Sequence, residues 1–300
     1  MPYLTRENGD LIFYDITGKP GNTPIITLHG YLENGEYWSR TGISAGLAAA
    51  GFCVYDMDMR GHGRSVPSEQ TPDYSMDALI SDIGALADHL GLAKFHLMGH
   101  ATGGIICVRY AIRHSDRLIS FMSSDSASMS LVADTYTDPE WDEKPIPPCE
   151  YCPGEYSAQA LSAFGSLENY VAEARKAAPD NMFSQFYRTY SNNSDPERCW
   201  RWTRDIHCVN ILENCIAFAR GFGNNDPDPC ARGLRTISCP CLLWVGAEDH
   251  IMIKPMEVLA RNIPDNEFVK MDGISHMTTI EAPEETLELI LRFLQKRFIG

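Results

Sequence analysis

The stretch "MGHATGG", residues 98–104, decides the fold. It joins the apolar run "FHLMGH" to "TGGIICVRYAIRH", whose apolar residues recur at helical spacing. A short run without polar alternation suits a strand buried on both faces. Gly99 and Gly103 allow a tight turn between the two elements. The same order recurs around it. "TPIITLHG", "FCVYDMD" and "LISFMSSD" are further buried strands. "ISAGLAAAG" and "SMDALISDIGALADHLG" are helices that stop at Gly51 and Gly91. Residues 24–125 therefore alternate strand and helix, which predicts a parallel sheet covered on both faces.

Upstream, "TRENGDLIFYDITG" alternates around Asn8-Gly9 and predicts an antiparallel pair. Downstream the rhythm breaks. Residues 126–237 are rich in aromatics, Pro, Asn and Asp, with helical patches such as "SLENYVAEARKAA" and "HCVNILENCIAFARG". The βα rhythm returns with "CLLWVG", "PMEVLARNI", "EFVKMD" and "PEETLELILRFLQKRF". The expectation is an α/β fold, a mostly parallel sheet of about eight strands with helices on both faces and an inserted, mainly helical cap. Residues 1–125 and 238–300 would form the core and 126–237 the cap.

The 300 residues are 44% hydrophobic, enough for a buried core, and carry a formal charge of −15. That charge argues against binding nucleic acid or an anionic membrane surface. No apolar run reaches the roughly 18 residues of a membrane span. The start, "MPYLTRENGDLIFYDITG", has no basic and apolar leader pattern, so a cytoplasmic location is expected. The ten cysteines then read as free thiols. Cys149 and Cys152 form a lone C-x-x-C, and none of Cys199, Cys208, Cys215 or Cys230 makes a second pair. We expect no metal and no cofactor. Homo-oligomerisation stays open.

Four local signatures stand in order. They are His29-Gly30 after a strand, "DMDMRGHGRS" (56–65), Gly99 to Gly103, and "GAEDHIM" (246–252) with "GISHMTTIEAPE" (273–284). In this order they resemble the α/β-hydrolase fold family over nearly the whole chain apart from the cap. The family's G-x-S-x-G elbow presents a nucleophile on a strained strand-to-helix turn. Here Ala101 holds that place. The resemblance implies that His276 is the general base and that Asp249 orients it. Asp125, at an earlier strand end, is the alternative acid. The backbone N–H groups of Tyr31 and Thr102 would form the oxyanion hole. Gly30, Tyr31, His100, Trp200 and Trp202 are candidates for substrate contact. Arg60 and His62 are assigned to loop packing. The aromatic cap suggests a small hydrophobic ester or lactone as the substrate.

Three readings of Ala101 remain. Alanine stands in place of a native serine in an ester or lactone hydrolase. Alternatively, alanine is natural and the chain only binds a ligand. In the third reading His276 and Asp249 work without a covalent nucleophile, as in cofactor-free oxygenases of this fold. We favour the first. Elbow strain is on the order of 1–3 kcal/mol and has no evident use without a nucleophile to present, while the other expected parts are all in place.

Overall fold

The chain is described here by a computed structural model covering residues 2–68, 72–127, 153–177, 184–224 and 232–299. Eight strands form one sheet: β1 (Tyr3–Thr5), β2 (Leu11–Gly18), β3 (Thr23–Leu28), β4 (Phe52–Met57), β5 (Phe95–His100), β6 (Leu118–Ser124), β7 (Cys241–Gly246) and β8 (Asn266–Met271). Their spatial order is β1-β2-β4-β3-β5-β6-β7-β8. β1 and β2 pair antiparallel, as the Asn8-Gly9 turn predicts, and β2 pairs antiparallel with β4. The remaining neighbours from β4 to β8 pair parallel. The expected mostly parallel sheet is therefore present.

Side chains alternate across each strand, and the core sorts accordingly. Phe95 and Leu97 of β5, with Leu243 and Val245 of β7, belong to one buried cluster. Met98 of β5, with Leu242 and Trp244 of β7, belongs to another on the opposite face. The first cluster is completed by α3 (Met76–His89), α4 (Ala101–His114) and α9 (Ile253–Asn262). The second takes the short α1 (Glu36–Ser39), α2 (Ile43–Ala49), α10 (Thr278–Glu281) and α11 (Pro283–Leu294). Ser75 caps α3 by accepting from the Ala78 N–H.

Between β6 and β7 in sequence lie α5 (Pro153–Phe164), α6 (Leu167–Lys176), α7 (Pro196–His207) and α8 (Leu212–Asn224). The patch starting at His207 does not form one helix. α7 ends at His207, and Asn210 ties the following turn down by donating to the carbonyls of His207 (3.0 Å) and Leu32 (2.7 Å). Among the described residues no helix is long and apolar enough to cross a membrane. The described cysteines are free thiols. Cys149, Cys152 and Cys230 lie outside the described residues.

Arg60 anchors the loop after β4. Its guanidinium grips both oxygens of Asp82 at 2.7 Å, reaches Asp10 at 3.2 Å, and donates to the Asp73 carbonyl. All three charged groups are buried. Removing Arg60 would leave two buried carboxylates without their main counter-charge. Arg60→Ala is expected to lose about 3–5 kcal/mol in urea unfolding. A loss below about 1 kcal/mol would show that the network contributes little.

Candidate active site

The candidate residues gather because parallel strands all end on one edge of the sheet. Tyr31 follows β3, Ala101 follows β5, Asp125 follows β6, Asp249 follows β7 and His276 follows β8. Ala101 has φ +47°, a left-handed backbone that a non-glycine residue adopts only at a cost. The turn closes tightly around it. A Cβ on Gly99 would lie 2.8 Å from the Cys107 sulfur and from the Gly103 carbonyl, and one on Gly103 would collide with the His29 carbonyl. Thr102 lies in the first turn of α4, where no intrahelical carbonyl reaches the backbone N–H groups. Across from it, Leu32 at φ +66° bends the loop that carries Tyr31.

His276 Nδ1 and Asp249 Oδ2 are 2.6 Å apart. Asp249 Oδ1 accepts from the N–H groups of Ile251 and Met252, both at 3.2 Å, which fixes the carboxylate. With Nδ1 donating to Asp249, Nε2 is the nitrogen left to accept a proton. Asp125 is also close, but its oxygens are committed elsewhere. Gly246 N donates to one at 2.9 Å and Thr278 Oγ1 to the other at 3.1 Å. Burial and then the neighbouring Asp249 push its carboxyl well above the usual range, which favours the neutral form. Asp249 thus has the contact with the imidazole that Asp125 lacks. One ligand atom each from Asp125, Asp249 and His276 lie within 4.8 Å of one another, a spacing a cation could use. Those donors already bond to each other or to the backbone, so the set fits a hydrogen-bonded site better than a metal site.

A cavity of about 160 Å³ opens beside Ala101. Tyr31, Glu33, Ala101, Thr102 and His276 line it from the sheet edge. Tyr170, Phe186, Tyr187 and His207 line it from the segment between β6 and β7. Leu32, Ile105, Met252 and Met277 complete an apolar wall. The two sides are tied together. Tyr31 Oη donates to the Cys215 carbonyl (2.8 Å), Asn34 Nδ2 to the Ile206 carbonyl (2.6 Å), and Gly63 N to Asn210 Oδ1 (2.6 Å).

Some sequence candidates are displaced from this wall. Trp200 and Trp202 do not line the cavity. α7 turns Cys199, Thr203, Ile206 and His207 inward, so both tryptophans flank that stripe rather than occupy it. Trp200 packs on Tyr187 and Tyr190, and Trp202 lies under the Arg198 guanidinium. Gly30 and His100 sit behind the cavity rather than on it. Gly30 N donates to Glu33 Oε2 at 2.6 Å. His100 stacks on Tyr37, accepts or donates at Ser124 Oγ (3.0 Å), and has Nε2 3.4 Å from Glu33 Oε1. The sequence reading missed Glu33 and His207. The inward spacing of Cys199, Thr203, Ile206 and His207 is the signal that could have found the latter. Tyr187 Oη lies 3.0 Å from His207 Nε2 and 3.4 Å from Tyr170 Oη, so the roof carries a polar cluster.

The chain belongs to the alpha/beta hydrolase fold family, which residues 23–283 match. A fluoroacetate dehalogenase from Burkholderia sp. is 26% identical over 304 residues, covering 95% of this chain and 91% of that protein. Among solved structures, a carboxylesterase study of Nitrososphaera gargenis gives a TM-score of 0.78 at 22% identity, covering 99% of this chain and 98% of the other. The enol-lactonase from Burkholderia xenovorans gives 0.71 at 23% identity, covering 98% and 100%.

Glu281 fixes the loop that carries His276. It accepts from Ser275 N at 3.1 Å and from the Thr189 hydroxyl. Burial raises its carboxyl to about 7, against the pull of those hydrogen bonds. An unfolded glutamate titrates near 4.3. Its protonation therefore stabilises the fold fully below about pH 4, and this contribution is lost as pH rises toward about 7. Glu281→Gln should remove that loss. Between about pH 5 and about pH 7.5, unfolding free energy should fall on the order of 2 kcal/mol more in the parent than in the variant. Parallel pH profiles would contradict this assignment.

Proposed function

We propose that this chain carries the site of a small carboxylic ester or lactone hydrolase, with alanine where a Ser-His-Asp triad needs serine. The observation that carries this reading is the left-handed backbone at Ala101, built beside an assembled His276–Asp249 pair. A nucleophile elbow holds its side chain in a strained backbone of this kind in order to present it. The carboxylesterase and enol-lactonase among the structural relatives are consistent with carbonyl chemistry. A haloacid substrate fits less well, because neither arginine nor lysine is among the described lining residues to receive its carboxylate. The cavity volume also narrows the substrate. A cavity of about 150 Å³ holds a single benzene, so a compact ester or lactone fits better than an extended one.

With serine at 101, the hydroxyl oxygen would add to the substrate carbonyl while His276 Nε2 takes its proton. The N–H groups of Tyr31 and Thr102 would hold the oxyanion. The C–O bond to the leaving alcohol then breaks, and that oxygen takes the proton from His276. Water repeats the sequence, releasing the acid and restoring serine. Asp249 orients the imidazole throughout, and Asp125 supports the neighbouring backbone. The described helices α5 to α8 belong to the cap, whose Tyr170, Phe186, Tyr187 and His207 cover the site. With Ala101, binding and the base persist and the covalent step is absent.

A second reading rests on the same pair, which stands assembled in this chain without any nucleophile. There His276 would act directly as general base on a bound substrate or water, including in cofactor-free oxygenation. Ala101→Ser separates the two. It is expected to raise hydrolysis of phenyl acetate or a five-membered lactone by roughly 10⁴–10⁶-fold. Adding His276→Ala should abolish the gain. A folded Ala101→Ser protein that stays at background would overturn the hydrolase reading, and oxygen uptake by the Ala101 chain would favour the second.

A further inference from the structure

Glu33 is a buried acid in the wall of the cavity. Its side chain is 3% exposed and reaches the cavity beside Ala101. A Cβ placed on Gly30 would lie 2.9 Å from Glu33 Oε2 and 3.1 Å from Ala101 Cβ, so the carboxylate stands next to the nucleophile position. It has a hydrogen bond from Gly30 N, yet no arginine or lysine faces it within the described lining. Its close neighbours are imidazoles, with His100 Nε2 3.4 Å from Oε1. Burial pushes His29 and His207 down to about 4 and lowers His100 as well. Burial alone would raise Glu33, but the three histidines outweigh it and hold the carboxyl below its ordinary value. The wall therefore carries a carboxylate whose described neighbours are imidazoles rather than an arginine or lysine.

The rest of the lining suits a positive ligand. Tyr31, Tyr170, Phe186 and Tyr187 border the same cavity. Aromatic faces attract cations, most strongly where water is excluded. The formal charge of −15 would draw cations toward the protein from solution.

We propose that the cavity beside Ala101 takes a compact organic cation, an ammonium group on an apolar body, with Glu33 as its counter-charge and the aromatic side chains as its cage. This deepens the hydrolase reading, on which it rests only in placing the substrate in this cavity. The substrate is then an ester or lactone bearing a small substituted ammonium group. That refines the small hydrophobic ester or lactone expected from the aromatic content alone.

The test uses the unaltered Ala101 chain and three ligands of nearly one shape: choline, 3,3-dimethylbutan-1-ol and 3,3-dimethylbutanoate. They differ mainly in charge. Calorimetry should show choline binding at least about tenfold tighter than the neutral alcohol, with the carboxylate weakest. Glu33→Gln should cut the choline-to-alcohol affinity ratio at least about threefold, the remainder coming from the aromatic cage, and a ratio cancels any general loss of affinity. Equal or tighter binding of the alcohol by the unaltered chain would overturn the proposal without any variant. A choline-to-alcohol ratio unchanged by Glu33→Gln would overturn the role of Glu33. These are binding measurements, so they stand apart from the hydrolase test. Choline selectivity together with an inert Ala101→Ser protein would sink the hydrolase and keep the cation site. An active Ala101→Ser protein without choline selectivity would do the reverse.

Discussion

The close approach of α4 to the end of β3 is the constraint on which the site depends. Gly103 lies so near the His29 carbonyl that no side chain fits between them. That contact brings the first turn of α4 beside the loop carrying Tyr31, so one helix start and one strand end can offer N–H groups to a shared oxygen. The left-handed backbone at Ala101 stands at the start of that same turn. Loosen the approach, and the elbow, the donors and the position opposite His276 would separate together.

Electrostatics divide the site into unequal parts. Asp249 hydrogen bonds to His276, whereas Asp125, buried beside it, is pushed toward its neutral form. Two carboxyl groups so close cannot both ionise cheaply. The arrangement resolves that conflict by giving Asp125 a structural task, holding Gly246 and Thr278, while Asp249 faces the imidazole. On the other side of Ala101, Glu33 keeps its charge within a ring of buried histidines.

How much of this was legible in the sequence follows from the range of each interaction. The sheet, its hairpin and the elbow were readable because glycine spacing and apolar runs are local signals. Ala101, Asp249 and His276 each sit in a distinctive short motif, so they could be picked out singly. Their 2.6 Å meeting needed the fold. Glu33 and His207 were not readable. One is a loop acid and the other a helix-end histidine, 174 positions apart in numbering, and only tertiary packing brings them to one cavity. Trp200 and Trp202 misled because aromatic content does not report which side of a helix faces inward. Their neighbours Thr203 and Ile206 took that face.

The bonds from Asn34 and Asn210 to the backbone of Ile206 and Leu32, with Tyr31 reaching Cys215, have a mechanical meaning. They rivet the turn between α7 and α8 to the loop that carries Tyr31. Roof and Tyr31 loop then form one lever. A displacement of the turn after His207 would therefore be carried to the Tyr31 loop through these bonds, not absorbed in the roof alone.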